Sequence, residues 1–244
     1  MFQSIASSTF PHWYFALPRY SYLVRYVIGI DEAGRGALAG PVCVGAVLMP
    51  EDFDWTAAFA LVTRRGEPKL RDSKKLSPQQ REILYEHIIA HGRLKHAAAF
   101  VEAKVIDAIG IVNAANEAAA LALSRLGIER TPAEVLLDAG LRVPSKWEQR
   151  SFVRGDETIP VIALASIVAK VSRDRVMEEL SPQYSSYHFE VHKGYGTLAH
   201  RRAITRAGLS EVHRASFCRG LHIRPSGLST PSLDARLRID KKSV

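Results

Sequence analysis

The sequence predicts an α/β fold, a mixed β-sheet flanked by helices with a helical C-terminal portion. Three observations carry this. Two short β-branched apolar runs near the start are joined by a glycine-rich connection. Strand-like runs then alternate with Ala- and Leu-rich stretches of helical period. The chain has 244 residues, 47% hydrophobic and 24% charged, enough to bury a core without staples.

Residues 1–25 are aromatic-rich, interrupted by Pro11 and Pro18, and lack periodicity, so they read as an arm. The folded domain is expected over 26–220. Tyr26–Ile30 and Val42–Leu48 are the first two strands, and residues 51–76 read as irregular and basic. Ser77 then offers a cap, Pro78 suits the first helical position, and Gln80 completes a capping box, with Gly92 as the stop. His96–Glu102 reads as a strand, and 104–126 as one or two helices ending at Gly127. Glu134–Asp138 is a short strand by length, although Thr131-Pro-Ala-Glu134 imitates a capping box. Ser151–Arg154 is a further strand, and Ile162–Leu180 a helix with Leu164, Ile167, Val168 and Val171 on its apolar stripe. Residues 221–244 are polar and Pro-interrupted and read as a flexible tail.

A net charge of +8 favours an anionic partner, nucleic acid ahead of an acidic membrane surface, with a merely basic surface as the plain alternative. Cys43 and Cys218 lie far apart, which argues against a disulfide framework or a zinc site and fits a reducing compartment. No signal-peptide pattern and no 18-residue apolar stretch occurs, so a cytoplasmic protein with no membrane partner is expected.

The stretch Ile28-Gly-Ile-Asp31-Glu32-Ala-Gly34-Arg35-Gly36-Ala-Leu-Ala-Gly40 places two adjacent carboxylates at the end of an apolar strand, before a glycine turn. Such charges cost desolvation energy unless paired, and hard divalent cations take carboxylate oxygens. The glycine spacing misses the dinucleotide fingerprint by one residue. A solvated turn with a paired Asp and Glu is the bland alternative. Val135-Leu136-Leu137 delivers Asp138 at a strand end, and Phe152-Val153-Arg154-Gly155 delivers Asp156. Each aspartate alone is as readily a cap or turn residue; four converging at one sheet edge would grip two divalent ions. His188, His192 and His200 lack the setting of a zinc site, because Gly194 and Gly196 crowd the segment.

Five ordered segments carry a resemblance. Gly29-Ile-Asp31-Glu32-Ala-Gly34-Arg35-Gly36, Asp72-Ser-Lys74-Lys75-Leu-Ser77, Leu137-Asp138-Ala-Gly140, Ala165-Ser166-Ile-Val-Ala-Lys170-Val171 with Arg173-Asp174, and His192-Lys-Gly-Tyr195-Gly-Thr197 resemble the signature segments of ribonuclease HII over residues 27–220. The resemblance implies an RNase H-like fold and a catalytic domain over 26–220. It implies that Asp31, Glu32, Asp138 and Asp156 are catalytic carboxylates binding Mg²⁺ or Mn²⁺. Asp174 is the rival for the fourth place, but an ion pair with Lys170 four residues earlier on a helix explains it. The turn Gly34-Arg35-Gly36 is implied to meet the 2′-hydroxyls at the scissile phosphate, the group that separates RNA from DNA. Tyr195 matches a tyrosine that stacks on the following deoxyribose. Lys74, Ser166 and Lys170 are candidate phosphate contacts, with a solvated polar stripe (Ser166, Lys170, Arg173) as the alternative. Two departures, Ala37 and Leu164, touch no carboxylate.

The expected activity is endonucleolytic: hydrolysis of the RNA strand of RNA/DNA hybrids, and cleavage 5′ of single ribonucleotides in duplex DNA, leaving 5′-phosphate and 3′-hydroxyl ends by two-metal catalysis. A monomer is expected. The rivals are another nuclease of the same fold, a ribonuclease HIII or a junction resolvase, and a non-catalytic hybrid-binding module. The N-terminal arm is too short for the extra domain of a ribonuclease HIII, and acidic residues at all four positions argue against a binding module.

Overall fold

A computed structural model describes residues 25–62, 75–128 and 132–221. Apart from Arg25 and Leu221, the expected arm and tail lie outside the described residues, as does Lys74.

Among the described residues, five strands form one sheet in the order β3-β2-β1-β4-β5. β1 (Tyr26–Ala33) and β2 (Val42–Pro50) are antiparallel neighbours, and β3 (Lys95–Val101) continues antiparallel on β2. β4 (Ala133–Asp138) lies parallel to β1, and β5 (Gln149–Phe152) parallel to β4. Parallel pairing needs a crossover, which α3 (Ala103–Ile109) and α4 (Ile111–Arg125) supply between β3 and β4. Two further helices, α1 (Trp55–Ala60) and α2 (Pro78–Ala90), precede β3. After β5 come α5 (Gly155–Thr158), α6 (Pro160–Leu180), α7 (Phe189–His192) and α8 (Leu198–Ala207).

The expected elements are present, with three corrections. β1 extends past Ile30 through Asp31 and Glu32, because the ladder to β2 continues there. A pattern of apolar residues stops at the first charge; backbone pairing does not. The irregular segment after residue 50 contains α1, where the Asp54 carboxylate accepts the amide of Thr56 at 3.1 Å. The strand expected over 151–154 lies at 149–152 instead. Pairing of Gln149 with Val135 starts it early, and the left-handed backbone of Arg154 (φ 55°) ends it.

One face of the sheet packs Val27, Val47, Met49 and Leu136 against α6, with α1 and α2 beside it. The other packs Ile28, Ile30, Val44, Val135 and Leu137 against the small residues Ala114, Ala115, Ala118 and Ala122 of α4. A third apolar cluster joins Met177 of α6 to Tyr187, Phe189, Ile204 and Cys218. Cys43 is buried in β2, and burial pushes its thiol up, so it is an inert core residue. No helix among the described residues is long and apolar enough to cross a membrane.

α6 sits unusually close to the sheet. A Cβ on Gly29 would lie 2.1 Å from the Val161 carbonyl oxygen, and one on Gly45 2.4 Å from that of Ala165. Glycines on the same face of β1 and β2 therefore admit the helix backbone itself. That approach carries Ser166 onto the end of β1.

Candidate active site

Strand register builds the site. Ile30 pairs with Leu137, so the next residues along these parallel neighbours, Asp31 and Asp138, arrive side by side. Val27 and Leu136, at alternate positions before them, face α6, and so do the two aspartates by the period of two. Glu32 belongs to the other pleat, yet its longer side chain joins them. Oxygens of Asp31, Glu32 and Asp138 all lie within 4.8 Å of one another.

Asp31 is almost fully buried. Burial, then the charges of Glu32 and Asp138, hold its carboxyl well above the usual range. A hydrogen bond from the Ser166 hydroxyl, and the Glu32 amide at 2.7 Å, work the other way. The Arg35 guanidinium donates to Glu32 at 3.1 Å, and the Gly155 amide donates to Asp138 at 2.8 Å.

Asp156 follows Gly155 in the first turn of α5 and is buried. It is delivered by this short helix rather than by a strand, and its carboxylate is not in the three-residue group. Asp174 accepts from Lys170 at 2.7 Å and lies 3.9 Å from Arg81, so two cations hold it away from the cluster, as the i,i+4 reading expected.

Beside the carboxylates opens a cleft of about 600 Å³, lined by Glu32, Gly34, Arg35, Gly36, Arg81, Ser166, Lys170 and Tyr195, among others. It gathers six of the seven substrate-contact residues expected from sequence; the seventh, Lys74, is outside the described residues. Lys75 pairs with Glu157 of α5 at 2.8 Å, one residue after Asp156. Ser166 is buried and Arg173 is completely so; the solvated-stripe alternative fails.

The two glycines of the turn differ in kind. Gly34 has φ +87°, and a Cβ there would strike the Arg173 side chain at 1.9 Å. Around Gly36 a Cβ would meet nothing within 4 Å. Packing explains the first glycine; the second faces open space in the cleft.

Sequence reasoning missed Arg81 and Arg214, and read Arg173 only as part of a polar stripe. Arg81 follows the Ser77-Pro78 helix start by one turn, a spacing that could have flagged it. Arg173 donates to the carbonyls of Pro41 (2.9 Å), Lys193 (2.9 Å) and Ala39 (3.2 Å), tying the turn's far end to the segment before Tyr195. Nothing in a pattern of charged residues marks a fully buried arginine.

Comparison with known proteins agrees. The family model described as Ribonuclease HII matches residues 28–220. The Ribonuclease HII of Caldicellulosiruptor bescii is 43% identical over 198 residues, covering 81% of this chain and 88% of that protein. That of Bacillus cereus strain Q1 is 43% identical over 194 residues, covering 80% and 69%. Among solved structures, RNase HII of Archaeoglobus fulgidus, seen in complex with PCNA, superposes with a TM-score of 0.63 at 24% identity, covering 82% and 98%. Bst-RNase HIII in complex with Mn²⁺ superposes with a TM-score of 0.59 at 18% identity, covering 82% and 63%, a likeness of fold alone. With its sheet, carboxylate cluster and family match in agreement, the chain belongs to the ribonuclease HII family and is a ribonuclease H, a hydrolase acting on nucleic acid.

Proposed function

We propose that this ribonuclease H cuts the RNA strand of RNA/DNA hybrids and cuts 5′ of single ribonucleotides in duplex DNA, leaving 5′-phosphate and 3′-hydroxyl ends. On this reading it works as a monomer in the cytoplasm. The observation that carries the reading is the meeting of Asp31, Glu32 and Asp138 oxygens within 4.8 Å, beside a cleft that Gly36 leaves open.

The donor set suits Mg²⁺ or Mn²⁺: all hard oxygens, one of them on a buried carboxyl whose charge the protein leaves poorly matched. Asp31, Glu32 and Asp138 would hold the metal, with Asp156 as a fourth ligand from the α5 turn that bonds Asp138. Bound divalent cations supply the Lewis acidity that activates water and neutralises the departing 3′-oxygen. The chain's own residues do the rest. Ser166 orients Asp31 through its hydroxyl, and Arg35 holds Glu32. Backbone groups of Gly34-Arg35-Gly36 read the ribose 2′-hydroxyl at close range. Tyr195 packs on the following sugar, where a missing 2′-hydroxyl leaves room. Ser166, Lys170 and Lys74 contact phosphates, with Arg81 added by the geometry of the cleft.

Three labelled substrates test this on gels, with and without Mg²⁺: a DNA duplex with one ribonucleotide, a continuous hybrid, and a four-way junction. Mg²⁺-dependent cuts 5′ of the ribonucleotide and along the RNA are expected. Cleavage of the junction alone, or binding without cleavage, would replace the reading with a resolvase or a binding module.

A further inference from the structure

The segment after α8 contains two adjacent buried residues, His213 and Arg214, that line no part of the cleft. Both reach its walls through backbone carbonyls. Arg214 donates from Nη1 to the Arg35 carbonyl at 2.9 Å and from Nε to that of Gly40 at 3.0 Å. Its own amide donates to the Leu38 carbonyl at 2.8 Å, while the Gly40 amide donates to that of Val212 at 2.8 Å. The Arg35 carbonyl and the Gly36 amide share one planar trans peptide, so they point opposite ways. Pinning the oxygen inward at Arg214 turns the Gly36 N–H away from Arg214.

His213 works on the other wall. Its Nδ1 accepts the Ser210 amide at 3.0 Å, which leaves its proton on Nε2, 3.1 Å from Nε2 of His200. His200 must then accept there and carry its own proton on Nδ1, which meets the Tyr195 carbonyl at 3.0 Å. The neutral pair thus has one consistent set of tautomers, running from Ser210 to Tyr195.

The arrangement is costly. Among the described residues no carboxylate is bonded to Arg214 and its Nη2 finds no hydrogen-bond partner, and its guanidinium lies 5.3 Å from the centre of the Phe217 ring. Burial, then the nearby charge of Arg173, pull it down to about 9. An apolar residue of similar size would fill the space more cheaply. What only the guanidinium fork offers is a simultaneous hold on the Arg35 and Gly40 carbonyls. The dipeptide is anchored from behind, since the Asp107 carboxylate accepts the amides of Ala215 (2.7 Å) and Ser216 (3.0 Å).

We propose that His213 and Arg214 are positioning residues that hold the two reading elements of the cleft in one fixed relation, Arg214 through the Arg35 carbonyl and His213 through His200 and the Tyr195 carbonyl. The proposal rests on the roles assigned above to the Gly34-Arg35-Gly36 turn and to Tyr195. It assigns the two neighbours separable effects. Loss of the fork disturbs the turn that every substrate meets; loss of the histidine relay disturbs the sensing of the sugar that follows.

The test uses Arg214→Lys, Arg214→Met, His213→Gln and His213→Met in the full chain, with thermal melts to establish folding. Arg214→Lys, which keeps charge but loses the fork, should slow cleavage of lone-ribonucleotide and hybrid substrates alike by roughly tenfold, mainly in kcat. His213→Met should lower the preference for the lone ribonucleotide over the hybrid by about threefold or more, and His213→Gln, which keeps an N–H donor, should restore most of it. In a Tyr195→Ala background the effect of His213→Met on that preference should vanish. On the wild type, nitrogen NMR should find His213 protonated on Nε2 and His200 on Nδ1 at neutral pH. The opposite tautomer on either ring overturns the proposal without any substitution. So does an unchanged preference in folded His213→Met, or full activity in Arg214→Lys. A wild type that leaves the lone ribonucleotide uncut would instead refute the substrate reading on which the proposal rests.

Discussion

Burial and two neighbouring carboxylates hold the Asp31 carboxyl far above its usual range, and Ser166 with the Glu32 amide offsets this only in part. Without metal, that charge opposes folding. Asp31→Asn keeps the shape and removes the charge, so the metal-free chain should gain about 1 kcal/mol, read from thermal melts in chelator. The same change should reduce cleavage roughly 10³-fold or more, as loss of one member of a concerted group does. A variant both less stable and fully active would remove Asp31 from the metal site. Gly36 gives the complementary case. Its Cβ position is empty and its backbone lies outside the left-handed region, so Gly36→Ala should change stability by less than about 0.5 kcal/mol. Cleavage should nevertheless fall by about tenfold, because the new methyl group occupies the space left for the substrate. Equal rates for variant and wild type would show that nothing approaches the turn there. Adjacent acids before a glycine turn were legible in the sequence because they interrupt an apolar run. Arg173 and Arg214 were not, because a charged side chain reads as surface until its carbonyl partners, most of them more than a hundred residues away in sequence, are known.

Elements were legible where the signal was local. Ser77 and Gln80 form the expected reciprocal cap of α2, with the Ser77 amide donating to Gln80 at 2.9 Å and the Gln80 amide to Ser77 at 3.2 Å. The short helices α1 and α5 escaped, since four to six residues cannot display a helical period. Asp156 was consequently read as following a strand, whereas it stands in the first turn of α5. The spacing between α6 and the sheet was also hidden. Gly29 and Gly45 look like weak points of strands, whereas they are what lets the Val161 and Ala165 carbonyls approach. Gly29→Ala would put a methyl group 2.1 Å from a backbone oxygen that cannot swing aside. It should cost about 3 kcal/mol, seen as a lower urea midpoint. Moving α6 outward also draws Ser166 from Asp31, so cleavage should fall even where the variant remains folded. A Gly29→Ala chain as stable as wild type would mean that α6 rides higher on the sheet than described.

At the scale of the whole molecule, the site depends on register and on a C-terminal cluster that wraps the turn, and neither is a property of any single window of sequence. The histidines illustrate this. Read as a string, His188, His192 and His200 lack the setting of a zinc site and suggest no other role; in the fold His192 and His200 stack at 4.3 Å, and His200 bonds His213. Burial first, and then neighbouring histidines, push His200 down to about 4 and His213 to about 3. Burial likewise lowers His192, whose Nε2 lies 2.7 Å from the Tyr187 carbonyl oxygen. The sign follows directly. Below about pH 6.5 the unfolded chain binds protons on these rings that the folded chain refuses until near pH 4, so stability falls as pH falls through that window. Asp31, raised rather than lowered, contributes the opposite slope, which makes Asp31→Asn the right background. In that background, urea unfolding should show a loss on the order of 3 kcal/mol between pH 7 and 5, and His213→Gln should remove a large part of it. The loss should appear with the cluster that joins Tyr187, Phe189 and Ile204, so amides of α8 should lose protection from hydrogen exchange before those of β1 and β2. A flat response between pH 7 and 5 would mean that at least one ring is already charged or open to water, and a charged His200 cannot accept the His213 proton on which the hold at Tyr195 relies.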